Sequence, residues 1–96
     1  MHTSELQEMM YNIYFKRDRQ RGIEKTFMWL VEEIGELAKA ILKGDRESQK
    51  EEMADVFAWL LSLANLLDIN LEKVLIEKYP NKCPRCGKNP CSCLEK

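Results

Sequence analysis

The sequence predicts an all-α fold: a small antiparallel bundle of about four helices followed by a short, irregular, cysteine-rich tail. Three observations carry this expectation. Apolar residues recur three and four apart through most of the first 79 positions, the spacing of helical faces. All three prolines fall from Pro80 onward, so no proline interrupts a helix before that point. No segment reads as a strand, in which apolar and polar residues would alternate. The expected division is a helical domain over 1–79 and a tail over 80–96.

The elements follow in order. Ser4 with Gln7 makes a capping-box pair ahead of a stripe at Leu6, Met9, Met10 and Ile13. Gly22 ends this first helix or the loop after it. A second helix is expected from about Thr26 to Lys43, with an apolar face through Phe27, Leu30, Val31, Ile34, Leu37, Ala38, Ile41 and Leu42. Gly44-Asp45 supplies a C-terminal stop and the N-cap of the next helix. That third helix runs from about Arg46 to Leu67. From Val56 to Leu67 it reads VFAWLLSLANLL, apolar nearly all round, so it is buried within or between subunits. Asn70 caps a short fourth helix, Leu71 to about Tyr79, which Pro80 stops.

Composition narrows the function classes. The chain has 96 residues, 45% hydrophobic and 32% charged, with a formal net charge of -1. It is globular and has no basic excess for generic nucleic-acid binding. No apolar run approaches the ~20 residues that span a bilayer. Residues 1–5 lack a basic segment leading into an apolar stretch, so a cytoplasmic location is expected.

The carboxylates are the chemical signal. Glu32, Glu33 and Glu36 project from the side of the second helix opposite Phe27, Ile34 and Ile41, at ~100° per residue. Taken alone, such a triplet reads as a solvated face. The third helix changes that balance. Glu52 falls on the line of Val56, Trp59 and Leu63, with Asp55 on its flank. A carboxylate on a buried stripe loses hydration unless something compensates. Glu33 and Glu36 stand about as far before the Gly44-Asp45 turn as Glu52 and Asp55 stand after it, so the two pairs face one another. Four carboxylates without histidine form a hard-oxygen site, suited to Mg2+ or Mn2+ and poorly to Zn2+. A di-iron bundle would need Glu-x-x-His pairs, and the one histidine is His2.

These residues carry a family resemblance. WLVEEIGEL over 29–37, followed by EMADV over 52–56, resembles the EExxE…ExxD signature of the MazG-like all-α nucleotide pyrophosphohydrolases, over roughly 26–79. The resemblance implies a Mg2+-dependent enzyme splitting nucleoside triphosphates into monophosphate and pyrophosphate, built as a homodimer or homotetramer. Its metal ligands would fall on Glu33, Glu36, Glu52 and Asp55. Glu32, matching the first Glu, would orient the attacking water or support the ligands from outside. No P-loop is present, and phosphoryl chemistry needs positioning and electrostatics rather than a nucleophilic side chain. Candidate substrate contacts are Arg21, Lys25 and Lys78, each equally readable as ordinary surface charge. Trp29, one turn before Glu33, could stack a base or sit in an interface. Trp59 reads as core.

The tail holds all four cysteines. Cys83-Pro-Arg-Cys86-Gly87 has zinc-knuckle spacing, and Cys91 with Cys93 completes a four-thiolate set. The expectation is one structural Zn2+, with local disulfides or free thiols as the alternatives. The tail is basic, since Lys73, Lys78, Lys82, Arg85, Lys88 and Lys96 outnumber Glu77 and Glu95. A second function class stays open: a non-catalytic dimeric scaffold whose zinc knuckle contacts RNA or protein. The complete carboxylate set favours the enzyme.

Overall fold

A computed structural model describes residues 1–94; Glu95 and Lys96 of the basic tail lie outside the described residues. The chain forms α1 (Thr3–Arg21), α2 (Ile23–Lys43), α3 (Arg46–Leu66) and α4 (Leu71–Lys78). The described residues contain no strand. The all-α expectation stands.

Helix α3 is the central element, packing against α2 along one side and α1 along another. The α2–α3 turn is two residues long because Gly44 takes the left-handed conformation, φ 69° and ψ 22°. Its N–H donates to the carbonyl of Ile41 at 3.1 Å, and that of Asp45 to Ala40 at 3.3 Å. These bonds satisfy carbonyls left open at the helix end. Asp45 then sits at the N-cap of α3, where its carboxylate accepts from Ser48 Oγ at 2.7 Å. That bond holds the Asp45 carboxyl below its ordinary range.

Two local expectations need correction. Helix α2 begins at Ile23, not near Thr26, because Gly22 (φ 91°) serves as the end of α1 and the start of α2 at once. The Ser4–Gln7 pair is not the cap of α1. His2 occupies that position, and its backbone N–H donates to Glu5 Oε1 at 2.8 Å. Gln7 is buried instead. Its amide donates to the Ile69 carbonyl at 2.6 Å and accepts from the Leu71 N–H at 3.0 Å. It thus fastens α1 to the start of α4. The inward line of α1 runs through Gln7, Met10 and Asp18, while Met9 and Ile13 stay exposed.

The core within one subunit is thin: Met10, Leu30, Ala40, Leu61 and Ala64 are its buried hydrophobic residues. Phe27, Val31, Ile34 and Ile41 form an exposed strip on α2, and Met53, Phe57 and Leu60 form another on α3. The accessible surface is 7661 Å², against roughly 5,700 Å² for a compact monomer of this mass. The radius of gyration is 15.7 Å, against about 12.5 Å for a compact domain of this length. The α2 helix is apolar over a wider arc than α3 alone can cover. Among the described residues no single helix is long and apolar enough to cross a membrane.

A Cβ at Gly44 would meet no atom within 4 Å, so Gly44→Ala isolates the backbone cost of the left-handed turn. The expected loss is about 1 kcal/mol. A thermal melt followed by circular dichroism should show a midpoint about 4–8 °C lower.

Candidate active site

The turn at Gly44 sets α2 and α3 side by side in opposite directions, so residues equally far from it meet. Carboxylate oxygens of Glu33, Glu52 and Asp55 lie within 4.8 Å of one another. Glu33 and Glu52 are half-buried, and Asp55 is exposed. Burial pushes the Glu33 carboxyl above its usual range. Its contact with the Glu52 carboxyl and the charges of Asp55, Glu52 and Glu36 push it the same way. Glu52 Oε2 is buried and has no hydrogen-bond partner. No lysine or arginine forms an ion pair with these three carboxylates among the described residues. Such a group is costly unless a cation compensates it, and hard oxygen donors suit Mg2+ or Mn2+. The donor set and its orphaned oxygen fit such an ion.

The remaining acidic candidates lie outside this cluster. Glu36, one turn beyond Glu33, points its carboxylate at Lys39 Nζ, 3.5 Å away on the surface. Glu32 is exposed and sits farther round the helix.

Next to the carboxylates are two cavities. One, about 280 Å³, lies between α1 and α3 and is lined by Met10, Tyr14, Arg17, Asp18, Arg21, Asp55, Ala58, Trp59 and Ser62. The other is an open trough bordered by Arg17, Gln20, Arg21, Trp29, Glu33 and Trp59. Arg17, Arg21 and Trp59 belong to both. The Trp29 and Trp59 rings stack, with centroids 6.3 Å apart and planes 24° from parallel. The Arg21 guanidinium lies 4.7 Å from the Trp59 ring centroid. Its Nη1 donates to Asp18 Oδ1 at 2.7 Å and to Thr26 Oγ1 at 3.4 Å.

A family model described as the MazG nucleotide pyrophosphohydrolase domain matches residues 21–87. The chain belongs to that family. Among curated proteins none matches it. The MazG match extends past the helical body as far as Cys83 and Cys86, beyond the stretch over which the motif resemblance runs.

Of the expected substrate contacts, Arg21 and Trp29 border the trough beside Glu33. Lys25 and Lys78 line neither cavity; Lys78 Nζ stands 5.7 Å from the Tyr79 ring centroid. Trp59, read as core, is a cavity wall instead. Residues that the sequence did not single out are Tyr14, Arg17, Asp18 and Gln20. The signal of Arg17, Asp18 and Gln20 was present in the run RDRQR over 17–21, which places charge on α1 where its apolar stripe would continue; Tyr14 had none.

The tail gathers its four sulfurs. Sγ of Cys83 and Cys93 are 3.8 Å apart, and those of Cys86 and Cys91 are 3.9 Å apart. Zn–S bonds of about 2.3 Å in a tetrahedron put sulfurs about 3.8 Å from one another, whereas a disulfide needs about 2.05 Å. All four cysteines are free. Gly87 (φ 72°) closes the knuckle, its N–H donating to the Cys83 carbonyl at 2.8 Å. The Ser92 N–H pointing at Cys86 Sγ holds that thiol down to about 6, and the neighbouring Cys91 thiol pushes Cys93 up to about 12.

The carboxylate cluster sets a pH dependence in metal-free protein. The Glu33 carboxyl in the folded chain stands above its ordinary value of 4.5. Its contribution to stability is therefore complete below that value and lost as pH rises through the raised one. Glu33→Gln should raise the thermal midpoint in EDTA at neutral pH, and the gain should shrink as the buffer approaches the carboxylate range. Calorimetry of both proteins across that range checks the sign.

Proposed function

We propose that this chain is a Mg2+-dependent nucleoside triphosphate pyrophosphohydrolase, cleaving between the α and β phosphates. The observation that carries the proposal is the convergence of Glu33, Glu52 and Asp55 around a buried, unpartnered carboxylate oxygen, beside a trough bordered by arginines. Glu33, Glu36, Glu52 and Asp55 would hold the metal. Glu36 joins the other three by leaving its surface pair with Lys39, a pair of a kind worth only ~0–1 kcal/mol. A divalent cation held there would neutralise charge developing on the phosphates and lower the pKa of a water.

The protein's own groups do the rest. Arg17 and Arg21 border the trough beside Glu33, where they can neutralise a polyphosphate. Arg21 is already fixed by Asp18, Thr26 and the Trp59 ring, so little side-chain entropy is lost on binding. Glu32 takes part in no ion pair of the described residues. It serves as the base that takes the proton of the attacking water. The water oxygen bonds to a phosphorus atom flanking the α–β bridge, the bridging P–O bond breaks, and pyrophosphate and nucleoside monophosphate separate.

Two further assignments belong to this reading. The exposed strips on α2 and α3 pair with further copies in a homodimer or homotetramer, which accounts for the excess surface of one subunit. Cys83, Cys86, Cys91 and Cys93 hold one structural Zn2+, which orders a tail that has no core of its own.

Activity should vanish in EDTA and return with Mg2+ or Mn2+, with pyrophosphate and monophosphate as products by chromatography. Asp55→Asn and Glu52→Gln should each lower turnover by a factor on the order of 10² or more, while Glu24→Gln changes little. Release of orthophosphate alone would sink the assigned reaction.

Metal analysis of protein purified without chelator should find about one zinc per chain. Light scattering should give at least twice the monomer mass. A monodisperse monomer at micromolar concentration would overturn the assembly, and a zinc-free protein with four readily alkylated thiols would overturn the zinc site.

A further inference from the structure

The C-terminal tail carries a separation of charge that neither the carboxylate cluster nor its metal requires. Of the chain's 15 Lys and Arg, four fall within 78–94: Lys78, Lys82, Arg85 and Lys88. None of its 16 Asp and Glu does. A near-neutral chain with one basic end offers a polyanion a local site rather than a uniformly basic surface. All four cations are exposed, and none takes part in an ion pair of the described residues. Four thiolates around one Zn2+ carry about −2, so the segment stays positive with that ion bound.

The same segment is folded around a groove. At the end of α4 lies an open groove of about 410 Å³ with Tyr79, Asn81, Lys82, Pro84, Lys88 and Asn89 among its walls. Backbone and amide bonds within the tail fix its shape. The Asn89 amide donates to the Asn81 carbonyl at 2.9 Å and to Asn81 Oδ1 at 3.1 Å. The Cys83 N–H donates to the Lys88 carbonyl at 3.0 Å. Asn81 takes a left-handed conformation, φ 59°, which asparagine tolerates better than most residues. Tyr79 is 47% exposed, and Lys78 Nζ stands 5.7 Å from its ring centroid.

We propose that this groove is a second binding site, for a single-stranded nucleic acid: a base stacks on Tyr79, and the phosphates on either side of it pair with Lys82 and Lys88. The inference stands apart from the hydrolase reading, since it uses none of the carboxylates, arginines or tryptophans of the candidate active site.

Three features select this ligand among polyanions. An exposed aromatic ring beside cations suits a chain that alternates flat bases with phosphates, the combination that single-strand binders use. An acidic peptide would use the cations and leave the ring idle. A duplex keeps its bases stacked inside and is read by a helix or a β-ribbon in its major groove; the tail presents neither. Phosphate contacts from exposed lysines carry no sequence information, so the site is tolerant of sequence.

The test is fluorescence anisotropy on the full chain, purified without chelator, with a labelled oligouridylate of about twelve nucleotides. Binding should weaken with salt, with a log–log slope of about −2 to −3 for three or four phosphate contacts. Changing Lys82→Gln and Lys88→Gln together should flatten that slope by about 1.4. Tyr79→Ala should weaken binding by a factor on the order of 10, and Tyr79→Phe should keep the wild-type affinity, because stacking needs the ring and not the hydroxyl. These side chains are exposed and outside the helical core, and helix content by circular dichroism should stay unchanged in every variant. Wild-type affinity in the Tyr79→Ala and double-lysine variants would place the oligonucleotide elsewhere and overturn the inference. So would equal binding of a duplex or of an oligoglutamate, which would reduce the tail to a charge attractant. Pyrophosphate release is measured separately. Oligonucleotide binding without hydrolysis removes only the reaction, and hydrolysis without oligonucleotide binding removes only this site.

Discussion

The two-residue reversal at Gly44-Asp45 is the constraint on which the rest of this structure depends. A left-handed residue at Gly44 lets α2 end and α3 begin with almost no loop between them. With so short a connection the two helices can only lie antiparallel and in contact. Their register is then fixed, because each residue faces the one equally distant from the turn. Glu33, 11 residues before Gly44, and Asp55, 10 residues after Asp45, meet for this reason, and Glu52 joins them from one turn nearer the reversal. A longer connection would let the helices slide, and the carboxylates would part into two ordinary solvated faces.

That register brings together groups that repel one another. Glu33, Glu52 and Asp55 share a small volume without a lysine or arginine among them, and burial adds to the burden on Glu33. The fold tolerates this with a thin core, since few large apolar side chains are buried within one subunit. Stability lost at the site and apolar area left open on α2 and α3 thus point to the same physical situation. The proposed cation and the proposed pairing of chains would each relieve one of these burdens. The pattern is common where function requires like charges to be held close.

Helix α1 packs against α3 and lines both cavities beside the carboxylates. Its final turns carry Arg17, Asp18 and Arg21, and the Arg21 guanidinium lies over the Trp59 ring. Asp18 holds Arg21, Arg21 covers Trp59, and Trp59 stacks on Trp29. This chain of contacts links the α1–α2 hinge to the α2–α3 site. It also keeps Asp18 buried with one oxygen free, a state that a helix end would otherwise resist.

By itself the sequence determined the helix count, the Gly44 reversal and the identity of the carboxylates that could meet across it. These are local matters: apolar period, glycine placement and offsets counted from a short turn. The grouping of Cys83, Cys86, Cys91 and Cys93 was legible for the same reason, since so few residues separate them. Tertiary structure alone decided what depends on the rotation of one helix about its axis against another. The α1 stripe pointed to Met9 and Ile13, yet Gln7 and Asp18 face inward, because Gln7 bonds the backbone at Ile69 and Leu71 and Asp18 holds Arg21. Trp59, apolar by sequence, became a cavity wall with the Arg21 guanidinium of α1 over its ring. Glu32 and Glu36 share a motif with Glu33, but of the three only Glu33 joins the cluster with Glu52 and Asp55 of α3. Spacing along a chain says which residues share a face, whereas the partner that covers the face is set by how the helices pack.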